Sequence, residues 1–202
     1  GDSTPVSVTT ATLLTPSSMT NPTGSAASWL VSTGRTVRPP KRSGRPAMGV
    51  SEFHMLCYCM ISSATLGQAI DRAAAFGRLF EGGVGEFTLR TVRENAEFRM
   101  HSASRPRDAH MIFGVLTGLS SFARLFGWLV GKDLSPLTVK ICYGPVLDEH
   151  VVSWLLPWRV EYEAEDNLLC FPARYLALPL VRSAAELDEL LTTFPFDLAT
   201  GR

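Results

Sequence analysis

The stretch Asp108–Gly131, DAHMIFGVLTGLSSFARLFGWLVG, constrains the fold of this chain more than any other. Ile112, Val115, Leu116, Leu119, Phe122, Ala123, Phe126 and Leu129 recur at the three-and-four spacing of one buried helix face. Phe113, Leu125, Trp128 and Val130 fall on other faces, so most of the helix circumference calls for cover. Asp108 suits an N-cap, because its carboxylate can accept from the free N–H groups of the first turn. Gly131 suits a left-handed C-cap, and Pro136 forbids continuation soon afterwards.

The length would also suit a membrane span. Two features argue for a central core helix instead. Arg124 sits mid-segment, where a cation in a bilayer is costly, and Gly114, Gly118, Ser120, Ser121 and Gly127 dilute the hydrophobicity. No basic flank orients the segment across a membrane. The expectation is therefore no membrane partner.

Around this helix the chain divides in two. Residues 1–47 are dominated early by Ser, Thr, Pro and Gly, with no sustained period of 3.6 or 2, and read as a flexible segment. Arg35, Arg38, Lys41, Arg42 and Arg45 stand there against Asp2 alone, a net of +4; the whole chain is neutral, so the remainder carries –4. The run RTVRPPKRSGR reads as a solvated linker, its prolines opposing a helix, with a nucleic-acid arm as the competing reading. The opening lacks the basic start and apolar core of a secretory signal. Residues 48–202 form the folded unit; 46% hydrophobic content suits a substantial core.

Within that unit Phe53–Ile61 is a dense apolar run too short to assign by period. Thr65 begins an amphipathic helix marked by Leu66, Ala69, Ile70, Ala73, Phe76 and Phe80, with Gln68 completing a capping-box pattern and Gly82-Gly83 ending it. Glu86–Val92 and Ala96–Met100 read as a hairpin turning at Glu94-Asn95, closed by Pro106. After the central helix, Leu137–Tyr143 reads as a strand and Asp148–Leu156 as a short helix ended by Pro157. Arg159–Glu163 and Leu168–Phe171 read as strands, and Ala184–Thr192 as a helix. Regular βαβ repetition is absent, so the expected class is α+β. A mostly antiparallel sheet of about five strands would pack against the long central helix and shorter helices.

Several segments, in this order, resemble a known family. MLCYCMISSATLGQAIDRAAAFGRLF, FARLFGWLVGKDLSPLTVKICYG, PWRVEYEAEDNLLCFP and ARYLALPLVRSAAELDELL are similar to the arabinose-binding-type sensor domain at the front of AraC/XylS-type bacterial transcription regulators, the group similar to the ornithine-utilisation activator. The likeness covers roughly residues 45–200 and rests on segment order, with no single motif carrying it. Two departures stand out. Members carry a further helical portion where this chain has its Ser/Thr/Pro-rich stretch, and they continue into helix-turn-helix units that read the major groove. No such pattern precedes Arg202. The resemblance implies a small-molecule effector as partner and a homodimer. DNA would be reached only through a C-terminal domain not in this chain.

The residues themselves offer little catalytic chemistry. GxSxG, HExxH, Walker-type and GxGxxG patterns are absent, and Gly82, Gly83 and Gly85 precede a strand, not a helix N-terminus, so they read as a turn. Cys57-x-Cys59 is too tight for a zinc knuckle, even with His54 added. Cys57, Cys59, Cys142 and Cys170 read as core thiols of a reducing cytoplasm, and a Cys57–His nucleophile pair would need tertiary proximity. Glu161, Glu163, Glu165 and Asp166 read as a solvated strand face, not a calcium loop. The expectations are thus no catalytic residue, no metal and no cofactor.

Arg124 is the exception. A guanidinium on a largely buried helix needs an anionic partner, because burying it unpaired is costly. It could anchor an acidic effector in a pocket shared with Trp128 and with Tyr58 and Cys57 of the Phe53–Ile61 run; the competing reading is a structural pair or a snorkelling side chain. The functional expectation is a cytoplasmic, ligand-sensing and dimerising regulatory domain. A stand-alone small-molecule binding module is the second reading, and an enzyme the weakest.

Overall fold

The computed structural model describes residues 49–79, 86–101, 109–135 and 137–193. Its elements run α1 (Val50–Ile61), α2 (Leu66–Leu79), β1 (Glu86–Val92), β2 (Asn95–His101), α3 (Ala109–Val130), β3 (Thr138–Lys140), α4 (Glu149–Leu155), β4 (Arg159–Glu161), β5 (Leu168–Pro172), a 3-10 helix (Ala173–Ala177) and α5 (Ala184–Thr193). The strands form one sheet in the order β1-β2-β5-β3-β4, antiparallel except where β3 meets β4. The α+β class and the mostly antiparallel five-stranded sheet are as the sequence implies. The parallel pair is a local βαβ unit, with α4 in the crossover between β3 and β4.

The core lies between one sheet face and α3. Register sets Leu89 opposite Phe98, Phe98 opposite Leu169, Ala96 opposite Phe171 and Val139 opposite Leu169. Period-two alternation therefore collects these residues on one face. Phe122 and Phe126 of α3 meet Phe98 with ring centroids 5.0 and 5.1 Å apart, and Phe87 stacks on Phe98 at 5.6 Å. Phe53 of α1 closes on Phe122 at 6.1 Å. The opposite face carries charge: Arg99 pairs with Glu97 at 3.0 Å and Asp166 at 2.6 Å, and Lys140 and Arg159 both reach Glu161.

The Phe53–Ile61 run, left unassigned by period, is the body of helix α1. Phe53, Leu56, Cys57 and Met60 are its buried residues, an i, i+3, i+4, i+7 set that faces inward. The capping box of α2 forms with a one-residue offset. Gln68 N–H donates to Thr65 Oγ1 at 3.4 Å, and Gln68 Oε1 accepts from Ala64 N–H at 3.1 Å. The hairpin turns one residue earlier than its composition suggests, at Arg93-Glu94, because Val92 pairs with Asn95.

Two strands are shorter than their alternation implies. After Lys140 the chain leaves the ladder, and the Cys142 N–H is taken by the Asn167 side chain at 3.1 Å. Beyond Glu161, Glu163 adopts φ +58°, which breaks the extended run; the acids 161, 163 and 165 therefore do not line one strand face.

The C-terminus of α3 is closed as its sequence predicts. Gly131 has φ +64°; Lys132 N–H donates to the Gly127 carbonyl at 3.0 Å and Gly131 N–H to the Trp128 carbonyl at 3.1 Å, a Schellman motif. Val181 N–H takes the Leu129 carbonyl at 2.9 Å. The expected cap Asp108, the turn Gly82-Gly83, Pro106, Pro136 and residues 1–47 lie outside the described residues. Ile112–Val130 is long and apolar enough to cross a membrane by length and composition, yet most of it is buried against the sheet and its neighbours.

Candidate functional site

A polar stripe runs along the side of α3 that turns away from the phenylalanine core. At about 100° per residue, Thr117, Ser120, Ser121, Arg124 and Trp128 share one sector of the helix surface. Thr117, Ser120 and Ser121 are buried, Arg124 and Trp128 half-buried. Thr117 Oγ1 donates back to the Phe113 carbonyl of its own helix at 2.8 Å. Ser120 Oγ donates across to the Leu155 carbonyl at the end of α4, tying the two helices together. Ser121 Oγ is buried without a hydrogen-bond partner among the described residues.

Arg124 leaves the helix beside α4. Its Nε donates to Ser120 Oγ at 3.4 Å, and its guanidinium carbon lies 5.3 Å from the centre of the Trp158 ring, in the connection between α4 and β4. Burial holds its pKa below the usual arginine value, the direction expected for a cation drawn out of water. One turn on, Trp128 carries a second cation, Arg182, 5.3 Å from its ring centre. Arg182 Nε donates to the Trp128 carbonyl at 3.0 Å, and its Nη1 meets Glu186 at 2.9 Å. Glu186 in turn caps α5 through the Ser183 N–H at 2.8 Å.

Two of the four expected site residues, Arg124 and Trp128, therefore share this stripe. The other two stand on α1. Cys57 is buried in the core, where desolvation pushes its thiol far up, against formation of a thiolate. Tyr58 is exposed and its hydroxyl donates to Asp188 of α5, which raises its pKa. Helical geometry also sets Cys57 and Cys59 about 200° apart around α1, so the two thiols cannot share a ligand with that backbone. Among the described residues, no group of three His, Cys, Asp or Glu could hold a metal. Trp158 and Arg182 were not expected at the site. They arrive from connections distant in sequence, whereas the hydroxyls of α3 were visible as polar breaks at helical spacing.

Comparison with known proteins bears on the whole domain. The model of a family described as the arabinose-binding domain of AraC transcription regulator, N-terminal, matches residues 42–180, which includes every element from α1 through the 3-10 helix. The ornithine utilization regulator of Pseudomonas aeruginosa is 28% identical over 145 residues, covering 68% of this chain and 42% of its own length. The crystal structure of transcriptional regulator CdpR from Pseudomonas aeruginosa aligns with a TM-score of 0.48 at 13% identity, over 75% of this chain and 47% of that one. This chain thus spans less than half the length of either regulator.

Proposed function

The chain belongs to the arabinose-binding N-terminal domain family of AraC transcription regulators, and from that premise we propose that residues 48–202 sense a small-molecule effector through the α3 stripe. The unit is a regulatory sensor domain; the effector, its site and its coupling to DNA are the proposal. The family match, from residue 42 to 180, is the observation that carries it. Arg124 and Trp128, with Trp158 opposite, form the effector site on this reading, while Cys57 and Tyr58 serve the packing of α1. The domain is non-enzymatic and works in the cytoplasm as part of a homodimer. It reaches DNA through helix-turn-helix units attached beyond its C-terminal end. Effector binding would favour one arrangement of the dimer and so bias how those units meet their operator.

Two measurements test this. The intact mass of the natural gene product should exceed that of these 202 residues, with the excess at the C-terminus. A mass matching the 202 residues alone would favour a stand-alone binding module. In the larger product, operator affinity measured with and without a cell metabolite extract should differ, and removal of residues 48–193 should abolish the difference. Equal affinities in all arms would refute the sensing role.

A further inference from the structure

Among the described residues three arginines are half-buried: Arg99, Arg124 and Arg182. Two have carboxylates. Arg99 holds Glu97 and Asp166, at 3.0 and 2.6 Å, and Arg182 holds Glu186 at 2.9 Å. Arg124 has none within ion-pair distance among the described residues. Its one hydrogen bond goes to a neutral hydroxyl and uses Nε, which leaves the paired Nη groups without an acceptor there. A guanidinium offers five donors in a planar fork, and drawing it from water without an anion is unfavourable. Elsewhere in this fold that cost is offset by acids; at Arg124 no acid among the described residues does so. Its Nη groups, which are not among the buried unpaired atoms, stay open to water and so to a ligand.

The surroundings narrow what would offset it. Arg124 lies over the Trp158 ring, and Trp128, one turn on, already holds Arg182. Arg182 is neutralised by Glu186, so one open positive charge remains, that of Arg124 beside the Trp158 ring. Mid-helix backbone N–H groups are consumed by the helix and cannot bind an anion. A doubly charged phosphate would want further donors; a single planar carboxylate matches one guanidinium fork in charge and shape. The half-buried Trp158 ring beside the guanidinium suits an apolar body on that carboxylate.

Resting on the sensor reading above, we propose that Arg124 anchors the effector and that the effector is a small monocarboxylate whose apolar body packs against Trp158. The Nη groups would take the carboxylate, and the guanidinium would be drawn from the Trp158 face.

The test is a titration of the 202-residue chain with acetate, butyrate and benzoate, against sodium chloride at equal ionic strength, read by tryptophan fluorescence and thermal midpoint. Benzoate should bind saturably, ahead of butyrate and then acetate, with chloride inert. Arg124→Gln should weaken benzoate by about 10- to 100-fold, the worth of a charged hydrogen-bonded contact. Trp158→Leu should weaken it too and remove most of the fluorescence change. Should Arg124→Gln not fold, Arg124→Lys, which keeps the charge and loses the fork, takes its place and should bind more weakly. Carboxylates no better than chloride, or variants that bind benzoate like the wild type, would overturn the inference. If operator binding by the full regulator responds to an uncharged metabolite and ignores Arg124→Gln, this inference falls and the sensor reading stands. If no metabolite alters operator binding, the sensor reading itself falls.

Discussion

Ser120 and Ser121 are neighbours on α3, both buried, and their replacement by alanine should move stability in opposite directions. Ser120 Oγ donates to the Leu155 carbonyl, which belongs to the last turn of α4 and lacks a helical partner further on. Ser120→Ala leaves that acceptor buried and unpaired, at a cost of about 1–3 kcal/mol. Alanine recovers about 0.5 kcal/mol of helix propensity, so the net loss is about 1–2 kcal/mol. Ser121 Oγ has no partner among the described residues. Ser121→Ala removes a desolvated hydroxyl worth about 1–3 kcal/mol on the mutational scale. Set against the packing of the lost atom, it should stabilise by about 1 kcal/mol, propensity included. Thr117→Val is the control, because its hydroxyl bonds only within its own helix; it should stay within about 0.5 kcal/mol of wild type. Urea unfolding followed by circular dichroism, with unchanged m-values, reads all three. The thermal midpoint should move about 2–4 °C for each kcal/mol in a chain of this size. A Ser121→Ala protein that loses 1 kcal/mol or more, on the order of an ordinary hydrogen bond, would refute the reasoning. So would a neutral Ser120→Ala.

Backbone conformation supplies a second pair of opposed effects: Gly131→Ala should cost about 1–2 kcal/mol, because φ +64° is disfavoured with a Cβ that would also stand 2.9 Å from Val181 Cγ2. Arg93→Gly, at φ +56° in the first position of the hairpin turn, should gain about 0.5 kcal/mol; thermal midpoints check both, and a gain at Gly131 would contradict the assignment. Glu186 is held below the usual carboxylate range, first by the Ser183 N–H and then by Arg182. A depressed folded pKa contributes stability that is present above the unfolded value and lost as pH falls through the folded one. The stability gap between wild type and Glu186→Gln should therefore close on acidification, and a gap independent of pH would exclude the linkage. Cys57, buried and with its thiol pushed up, should resist iodoacetamide in the native protein and react after unfolding; rapid native labelling located by peptide mass would contradict its place in the core.

Where local chemistry and tertiary packing agree, the fold could be read from residues alone. α3 is such a case, since its apolar period, its length and Gly131 all point to one helix with one end. α2 and the hairpin follow for similar reasons, through the Thr65–Gln68 pattern and the alternation around Phe87 and Phe98. α1 was legible and missed: Phe53, Leu56, Cys57 and Met60 carry the helical spacing, but Met55, Tyr58 and Ile61 fill the other faces with apolar residues and blur it. The ends of β3 and β4 were not legible. They depend on where the Asn167 side chain lands and on the left-handed turn at Glu163, neither of which alternation encodes. At the candidate site Arg124 and Trp128 stood out on an apolar helix, while Trp158 and Arg182 reach them only through the tertiary fold.

The same stripe also shows that this side of α3 is covered by protein. A hydroxyl facing lipid directly would bond back to its own helix, as Thr117 does. Ser120 instead donates to another helix, and Arg124 turns to an indole from another connection. Both partners belong to the crossover between β3 and β4, the parallel pair at one edge of the sheet. The polar residues of α3 thus hold α4 in its place, and α4 in turn joins two neighbouring strands. On the proposed reading, a carboxylate that draws Arg124 from Trp158 acts on the short connection between α4 and β4. Three-residue strands at a sheet edge hold few hydrogen bonds, so this corner is the part of the fold that yields with least loss of core. A site there can alter the outer surface of α4, where Val151 and Trp154 are exposed, while the phenylalanine core stays as it is.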